Sequence, residues 1–367
     1  MPEVQEIFEN YGGEYCHSHT LSPEQGKVMR AITDCRTTRL GGHIDVCPAC
    51  GYARSSYNSC RNRHCPKCQA FARERWIGSQ KYDLLDVAYF HVVFTVPAEL
   101  NSLFFCRDRV MYNLIFRAVA ETLSQLASDR KYLGARIGFT AVLHTWGQNL
   151  GFHPHLHCIV PAGGLSRVMQ WRSSRKKFFI PVKVLSRKFR GKFLALLRQA
   201  DLAGMLDQNV VDSCYRKEWV VYCKPPFKDA ACVVEYLGRY THRIAISNSR
   251  ILSISDGRVS FKWRDYKDGG KWKIMTLSAQ EFIRRFLLHV LPKGFMKIRH
   301  YGFLGNRDKN KRLKFCKLLT GTMITEKSVL SAADLFIKMF GHDPRLCPAC
   351  GQGRIEFYTN LPPPVGV

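Results

Sequence analysis

Paired cysteines constrain the N-terminal part of this chain more than any other feature of the sequence. Cys47 and Cys50 form one C-x2-C pair, and Cys65 and Cys68 form a second pair after a gap of fourteen residues. Two such pairs present four thiolates at the spacing of a structural zinc ribbon or finger. The surrounding residues are rich in Cys, His, Gly and Arg and contain few apolar runs. The sequence therefore predicts a small module that is folded by zinc rather than by a hydrophobic core.

Additional cysteines and histidines could form a second metal site. A second zinc in the same module would use residues that flank and interleave with the first four, namely Cys35, His43, Cys60 and His64. Ordinary buried cysteines and surface histidines explain these four residues equally well. Near the other end of the chain, CPACG at 347–351 repeats the sequence of 47–51 but supplies only two ligands, Cys347 and Cys350. Candidate partners are Cys16 with His17 or His19, residues elsewhere in the fold, or residues of another subunit, and a knuckle without metal is an equal alternative, so the motif is left unassigned.

The charge balance indicates a polyanionic partner. The 367 residues include 56 Lys and Arg against 29 Asp and Glu, a formal net charge of +27. Such a surface attracts polyanions, so nucleic acid is the first partner to consider. An anionic membrane surface is the alternative, but the basic residues are spread along the chain rather than gathered on one amphipathic helix.

The sequence also predicts the location of the protein in the cell. The N-terminal residues lack the basic start and apolar core of a signal peptide, and the longest apolar run, 87–98, is too short to span a bilayer. Many of the fifteen cysteines stand in C-x-x-C pairs, which in a reducing compartment indicate metal ligands rather than disulfides. We therefore expect a cytoplasmic, nucleoid-associated protein without membrane contact.

Residue patterning predicts the α+β fold class. The β-branched and aromatic run 87–97 predicts a buried strand, and 109–126 has helical periodicity. Strand-like segments alternate around the turn signals SDG and KDGG within 251–277. We expect three parts: a zinc-binding DNA-recognition domain with its following helix (1–80), a catalytic domain (81–310) and a basic C-terminal extension with a C-x-x-C knuckle (311–367).

The least charged stretch of the chain collects histidines. Residues 137–166 contain no Asp, Glu, Lys or Arg, and they predict two strands joined by the turn sequence QNLGF. Alternate residues of a strand face the same way, so His155 and His157 project together about 6–7 Å apart. Two such imidazoles can converge on one divalent ion, for which an uncharged strand buried in a sheet is a rigid support. Core histidines bonded to backbone carbonyls are the alternative.

A third ligand is expected from the neighbouring strand. His144 is the first choice and Gln148 the second, whereas His153 lies at the turn and ranks lower. A site with three protein ligands and open positions suits catalysis. On a basic protein the natural substrate is a phosphodiester, whose oxygens a divalent ion polarises.

Two tyrosines supply candidate nucleophiles. Within DAACVVEYLGRYTHRIAI at 229–246, which predicts a helix, Tyr236 and Tyr240 are four residues apart and share one helix face. Tyrosine is a weak nucleophile because its pKa is about 10, but a metal and the guanidinium groups of Arg239 and Arg243 would lower the cost of forming phenolate. An aromatic stripe packed in a core is the more common cause of this spacing.

Three segments in this order resemble a known family. They are YNSCRNRHCPKCQ (57–69), HPHLHCIVP (153–161) and YLGRYTHRIAISN (236–248). They look like the rolling-circle insertion-sequence transposases of the HUH endonuclease superfamily, in the two-tyrosine branch with an N-terminal zinc-binding domain. The resemblance extends from about residue 35 to about residue 301.

The resemblance implies a fold and an activity. It implies an HUH-type endonuclease domain, in which helices flank a central antiparallel sheet with the histidines on its central strands. His155 and His157 match the histidines that bind Mg²⁺ or Mn²⁺, and Tyr236 and Tyr240 match the catalytic tyrosines. The implied activity is nicking and rejoining of single-stranded DNA at element ends through a covalent 5′-phosphotyrosine. The absence of a helicase motif suggests that the host unwinds the DNA.

DNA contacts are expected from basic residues of the zinc module and the tyrosine segment: Arg61, Arg63, Lys67, Arg239 and Arg243. Trp146, Trp171 and Trp263 are candidates for base stacking, although core packing is the stronger expectation for them. Two alternative functions remain. One is a non-enzymatic zinc-containing DNA-binding regulator, and the other is a hydrolytic nuclease that cleaves DNA without covalent capture. The sequence leaves the oligomeric state open.

Overall fold

A computed structural model of the chain describes residues 2–174, 179–227, 233, 238, 244–325 and 330–364. The described α-helices are α1 (Val4–Ser18), α2 (Pro23–Thr33), α3 (Pro66–Lys81), α4 (Asn101–Cys106), α5 (Asp108–Ser128), α6 (Val182–Gln199), α7 (Gln208–Arg216), α8 (Ala279–Leu287), α9 (Lys309–Leu319) and α10 (Ala332–Phe340). The described strands are β1 (Gly42–Val46), β2 (Ala53–Tyr57), β3 (Tyr89–Thr95), β4 (Phe139–Trp146), β5 (Phe152–Pro161), β6 (Gly163–Leu165), β7 (Trp171–Ser173), β8 (Val221–Phe227), β9 (Ile251–Ser255), β10 (Arg258–Asp265), β11 (Lys271–Ser278), β12 (Ile298–Tyr301) and β13 (Glu356–Leu361). The α+β prediction is confirmed.

A five-stranded antiparallel sheet forms the centre of the molecule. Its strand order is β12-β4-β5-β3-β8, so the two strands of the predicted histidine hairpin, β4 and β5, lie inside the sheet. The turn at 147–151 closes this hairpin through a hydrogen bond from the Gly147 N–H to the Gly151 carbonyl of 2.9 Å. Leu150 within the turn has a φ of 62°.

One face of this sheet is buried in the main hydrophobic core. Alternate residues of β3 and β5, such as Phe94 and Leu156, are fully buried with apolar residues of α5 and α6. The rings of Phe94 and Phe189 on α6 meet edge to face with centroids 5.1 Å apart. Because this face is fully used by packing, the residues of opposite parity, including the histidines, lie on the other face.

A second core joins the N-terminal helices to a three-stranded antiparallel meander, β9-β10-β11. Phe8 of α1 packs edge to face on Phe286 of α8, with ring centroids 5.2 Å apart. Phe261 of β10 packs on Phe282 of α8 at 5.9 Å. The N-terminal helices are therefore fixed to the part of the chain around residues 251–287, not held by metal alone.

The C-terminal strand β13 returns to the N-terminal module. It pairs antiparallel with β1, which pairs with β2 on its other side, and Gly42 faces Leu361 in this register. A Cβ at Gly42 would meet the Ser56 carbonyl oxygen, so only glycine fits between these strands. The segments 1–80 and 311–367, predicted as separate parts, thus share one sheet. Reasoning along the chain could not detect a pairing between strands about 300 residues apart.

Among the described residues, no helix is both long enough and apolar enough to cross a bilayer.

Candidate metal centres

Three histidines meet on the polar face of the central sheet. His144 of β4 and His155 of β5 are cross-strand partners, and His157 lies two residues further along β5. All three side chains are buried, and one ring nitrogen from each lies within 4.8 Å of the others. The predicted strand register thus brings together the pair and its first-choice third member. Gln148 instead lies in the turn, where its backbone carbonyl accepts a hydrogen bond of 2.5 Å from Arg250 Nη2.

Two hydrogen bonds orient the imidazoles for ligation. His155 Nδ1 lies 2.6 Å from the backbone carbonyl of His153, an acceptor only, so Nδ1 donates and the Nε2 lone pair can bind a metal. His157 Nδ1 lies 2.8 Å from His91 Nε2. If His157 Nδ1 donates this bond, its Nε2 is also a metal ligand. The cluster therefore has the donor set and the outer support of a divalent metal centre.

His91 of β3 is a site residue that the sequence analysis missed. It is almost fully buried, and its ring stacks on that of His157 with centroids 5.1 Å apart and planes 7° from parallel. Burial, with smaller contributions from the charges of Lys224 and His155, lowers the pKa of His91 to about 3, so the ring is neutral and can accept a hydrogen bond from His157. The available signal was an imidazole in the middle of YFHVVFT, a strand otherwise made of apolar, aromatic and hydroxyl residues.

Four cysteines near the start of α3 form the first thiol cluster: Cys35, Cys60, Cys65 and Cys68. Cys35 follows α2, Cys65 immediately precedes Pro66 at the first turn of α3, and Cys68 lies within that turn. The Cys68 Sγ is 3.6 Å from both the Cys35 Sγ and the Cys60 Sγ. Four thiols this close can ionise together only around a cation, which is the donor set of a structural zinc.

The second thiol cluster joins the two ends of the chain: Cys47, Cys50, Cys347 and Cys350. The Cys47 Sγ lies 3.9 Å from the Cys350 Sγ, and the Cys50 Sγ lies 3.6 Å from the Cys347 Sγ. Both CPACG segments make the same turn, in which the glycine N–H donates to the carbonyl of the first cysteine. The repeated motif thus encodes two copies of one knuckle, which complete one tetrahedral donor set across the β1–β13 pairing.

These clusters correct the predicted zinc ligand sets. The set Cys47, Cys50, Cys65 and Cys68 is divided between two clusters because each C-x-x-C pair meets partners that are distant in the chain. Cys35 and Cys60 join Cys65 and Cys68, but the two histidines proposed with them do not. His43 Nε2 pairs with an Asp45 carboxylate oxygen at 3.4 Å, and His64 Nε2 is 3.5 Å from the Leu291 N–H. Cys16 is exposed and is not in either cluster.

We predict that the purified chain holds two tightly bound zinc ions, one in each four-cysteine cluster. The double substitution Cys347→Ser, Cys350→Ser should lower the zinc content to one per chain, because two ligands of one set are lost. Elemental analysis by plasma mass spectrometry measures this content. Cys106→Ser, at an exposed cysteine outside both clusters, is the control. An unchanged zinc content in the double variant would contradict the assignment.

Several predicted DNA contacts have other roles. The Arg63 guanidinium donates to the backbone carbonyls of Phe295 (2.5 Å) and Pro292 (2.8 Å), and burial lowers its pKa. Lys67 Nζ forms an ion pair with Glu3 at 2.7 Å. Both side chains therefore stabilise the fold around α3, and their contact with DNA stays a prediction. Arg61 remains exposed.

The predicted stacking tryptophans are partly buried. Trp146 and Trp263 pack against the core of the meander, and Trp171 packs against a small cluster around Phe303. The Trp146 ring also stacks on His144, with centroids 4.7 Å apart. Core packing, the stronger expectation, is what the structure shows for these side chains.

Of the tyrosine segment 229–246, the structure describes Val233, Gly238 and 244–246. Tyr236, Tyr240, Arg239 and Arg243 lie outside the described residues. Val233 and Gly238 are helical. Val233 is fully buried against Tyr89 and Ile159, which have the same strand parity as His91 and His157. A Cβ at Gly238 would meet the Ile77 side chain of α3.

The fold and its donor clusters define a basic α+β protein with a cysteine-rich module at its N-terminus and a histidine centre in its sheet. Comparison with known proteins gives the family. Residues 7–96 match a family described as "Transposase zinc-binding domain", and residues 138–312 match one described as "Putative transposase". No solved structure matches the chain.

Two curated relatives agree with this result. The "Putative transposase y4qJ" of Sinorhizobium fredii is 47% identical over 99% of this chain and 97% of the relative. The "Transposase for insertion sequence element IS801" of Pseudomonas savastanoi pv. phaseolicola is 29% identical over 93% of this chain and 86% of the relative. The chain belongs to the insertion-sequence transposases with an N-terminal zinc-binding domain, which confirms the resemblance noted in its sequence. It is a transposase that acts on DNA and carries structural zinc.

Proposed function

We propose that this transposase nicks and rejoins single-stranded DNA at the ends of its element, by rolling-circle transposition through a 5′-phosphotyrosine intermediate. The observation that carries the proposal is the buried set of His144, His155 and His157, whose ring nitrogens lie within 4.8 Å of one another on adjacent strands. Such a rigid set with open positions is suited to catalysis at a phosphodiester. We also propose that the protein is cytoplasmic and nucleoid-associated, and that a host helicase unwinds the DNA.

The histidines hold a divalent ion, Mg²⁺ or Mn²⁺, which polarises the scissile phosphate when bound. The oxygen of Tyr236 or Tyr240 attacks phosphorus, and its proton passes to solvent. The new bond joins the tyrosine oxygen to phosphorus, and the bond to the 3′ oxygen breaks. That oxygen leaves as a free 3′-hydroxyl after taking up a proton. The phosphotyrosine bond conserves the free energy of the broken phosphodiester bond for rejoining. The second tyrosine acts in the same way on the partner DNA strand.

Two described residues of the tyrosine segment, Val233 and Gly238, support this arrangement. Val233, three residues before Tyr236, packs on Ile159, and Ile159 is two residues from His157 on the same side of β5. Gly238, between the two tyrosines, lies against Ile77 of α3. The chain is therefore held on the histidine face of the sheet at a position next to the proposed nucleophiles.

Each four-cysteine cluster is proposed to bind one zinc ion. Neither zinc is proposed to act in the chemistry, because four thiolates leave no open coordination position for a substrate. The two zinc ions instead hold the N-terminal module and the C-terminal strand together.

A nicking assay tests the proposed function. Labelled single-stranded element-end DNA is incubated with the full chain that has been dialysed free of loosely bound divalent ions, and Mg²⁺ or Mn²⁺ is then added. We expect a protein–DNA adduct that survives denaturation and requires the added ion. Nitrogen donors bind first-row transition ions more tightly than Mg²⁺, so Mn²⁺ should act at lower concentration. Binding without cleavage would indicate a regulator, and cleavage without an adduct would indicate a hydrolytic nuclease.

A substitution of His91 tests whether this residue positions His157 as a metal ligand. His91→Phe should raise the Mn²⁺ concentration needed for half-maximal nicking by about 10- to 100-fold, because loss of an outer hydrogen bond to a ligating histidine weakens metal binding by that factor. The measurement is a Mn²⁺ titration of nicking rate.

His300→Ala is the matched control for this variant. His300 is a partly buried histidine on the same face of the sheet, but its Nδ1 bonds to the Thr140 hydroxyl at 2.9 Å rather than to a member of the histidine cluster. An equal shift in both variants would show that His91 acts only through general stability.

A further inference from the structure

The outer face of the β9-β10-β11 meander carries an unusual set of exposed side chains. Trp272 and Ile274 of β11 are 62% and 66% exposed, and they lie opposite Arg264 and Lys262 of β10. Tyr266, in the turn that joins these strands, is 66% exposed, and the Arg264 guanidinium lies over its ring at 5.6 Å. These neighbouring side chains form one contiguous exposed patch, and such a patch marks an interaction surface more often than scattered apolar residues do.

The charge of this face fits one class of partner. The outward positions of the three strands, all of them described, carry Ser, Thr, Lys, Arg, Trp and Ile and no acidic residue. The two acidic side chains at the β10–β11 end of the face, Asp265 and Asp268, are offset by two lysines: Lys273 Nζ lies 2.9 Å from the first and 3.0 Å from the second, and Lys271 Nζ lies 3.1 Å from Asp268. A cationic face with accessible aromatic rings is suited to binding an anionic ligand that has planar groups.

We propose that this face, defined by Lys262, Arg264, Tyr266, Trp272 and Ile274, is a platform for single-stranded DNA. Unpaired bases stack on the Trp272 indole, and phosphates contact Lys262 and Arg264. A duplex would keep its bases stacked inside and could use only the cations. The platform deepens the proposed function, because it supplies a binding site for the strand that the histidine centre is proposed to cut.

The platform is joined to the histidine centre through the protein. Arg250 donates to the Lys262 carbonyl of β10 at 2.7 Å and to the Gln148 carbonyl in the β4–β5 turn at 2.5 Å. Trp146, which stacks on His144, packs into the core beneath the meander. The platform and the strands that carry the proposed metal ligands are therefore in direct contact through Arg250 and Trp146.

Fluorescence anisotropy with the full chain tests the platform. The probe is an oligothymidine of about 20 nucleotides, long enough to cover one stacking site, in buffer without added divalent ion. Trp272→Ala should weaken binding about tenfold, the effect of losing one or two stacked bases, and Trp272→Phe should recover most of it. Lys262→Ala should lower the slope of log affinity against log salt by about 0.7. Thr276→Ala, an exposed residue on the same face of β11, is the matched control.

The outcomes separate this inference from the proposed function. Unchanged affinity of Trp272→Ala for oligothymidine would disprove the platform, even if the DNA adduct still forms. The exposed face would then be a candidate site for a protein partner. Equal losses for oligothymidine and for a duplex of the same length would also overturn it. A selective loss of oligothymidine binding supports the platform even if the wild-type chain forms no tyrosine adduct.

Discussion

Substitution of His157 with alanine is expected to reduce metal-dependent nicking by more than about 100-fold. Loss of an outer partner of a metal ligand already costs about 10- to 100-fold, and loss of the ligand itself should cost more. His157 is also the member of the cluster that contacts both His91 and His155, with a ring centroid distance of 4.8 Å to the latter. The measurement is the rate of adduct formation at saturating Mn²⁺.

His153→Ala is the matched control for the His157 variant. It removes a ring from the same strand, but it keeps the backbone carbonyl that accepts the hydrogen bond from His155 Nδ1. Its nicking rate should stay within a few-fold of the wild-type rate. If His157→Ala were as active as His153→Ala, the histidine cluster would not be the catalytic metal site.

The second large effect concerns the proposed nucleophiles. A chain in which both Tyr236 and Tyr240 are replaced by phenylalanine should form no covalent DNA adduct, because no phenolic oxygen remains at either position to bond to phosphorus. Binding of single-stranded DNA should be retained, since phenylalanine keeps the rings. Denaturing gels with labelled DNA measure the adduct, and anisotropy measures the binding.

Tyr222→Phe is the control for the double variant. Tyr222 lies on β8, pairs with Val93 of β3 and is 51% exposed, so it is an accessible phenol on the same face of the sheet but outside the two-tyrosine motif. Its loss should leave adduct formation unchanged. A double variant that still forms the adduct would disprove the assignment of Tyr236 and Tyr240.

Local patterns predicted the histidine hairpin well. The uncharged run, the two strands and the turn at 147–151 all lie within about 30 consecutive residues, so strand parity and turn length fix the register. In the observed register His144 lies directly opposite His155 and shares its face, whereas Gln148 lies in the turn. The α+β class followed from the same kind of local pattern.

Contacts between distant parts of the chain could not be predicted in this way. The cysteine pairs were grouped by proximity in sequence, whereas β13 brings Cys347 and Cys350 to Cys47 and Cys50. The repeated CPACG motif was the one signal of this pairing. His91 was missed for a similar reason, since its role depends on the β3–β5 pairing that places it beside His157.

Basic residues were the least informative part of the sequence. Arg63 and Lys67 satisfy backbone carbonyls and a carboxylate within the fold, although their sequence context resembles that of a DNA-binding loop. Conversely, Trp272 was not among the expected stacking residues, yet it is the tryptophan on the exposed face of the meander. The exposure of a side chain depends on which face of a strand packs, and this is decided by the tertiary core rather than by the local sequence.

The most direct test is to map the residue that becomes linked to DNA. The wild-type chain is incubated with labelled single-stranded element-end DNA and Mn²⁺, the adduct is isolated under denaturing conditions, and its peptide is identified by mass spectrometry. The account predicts that DNA is attached to Tyr236 or Tyr240, and that no adduct forms without a divalent ion or in His157→Ala. Attachment at another residue, or an undiminished adduct in His157→Ala, would contradict it.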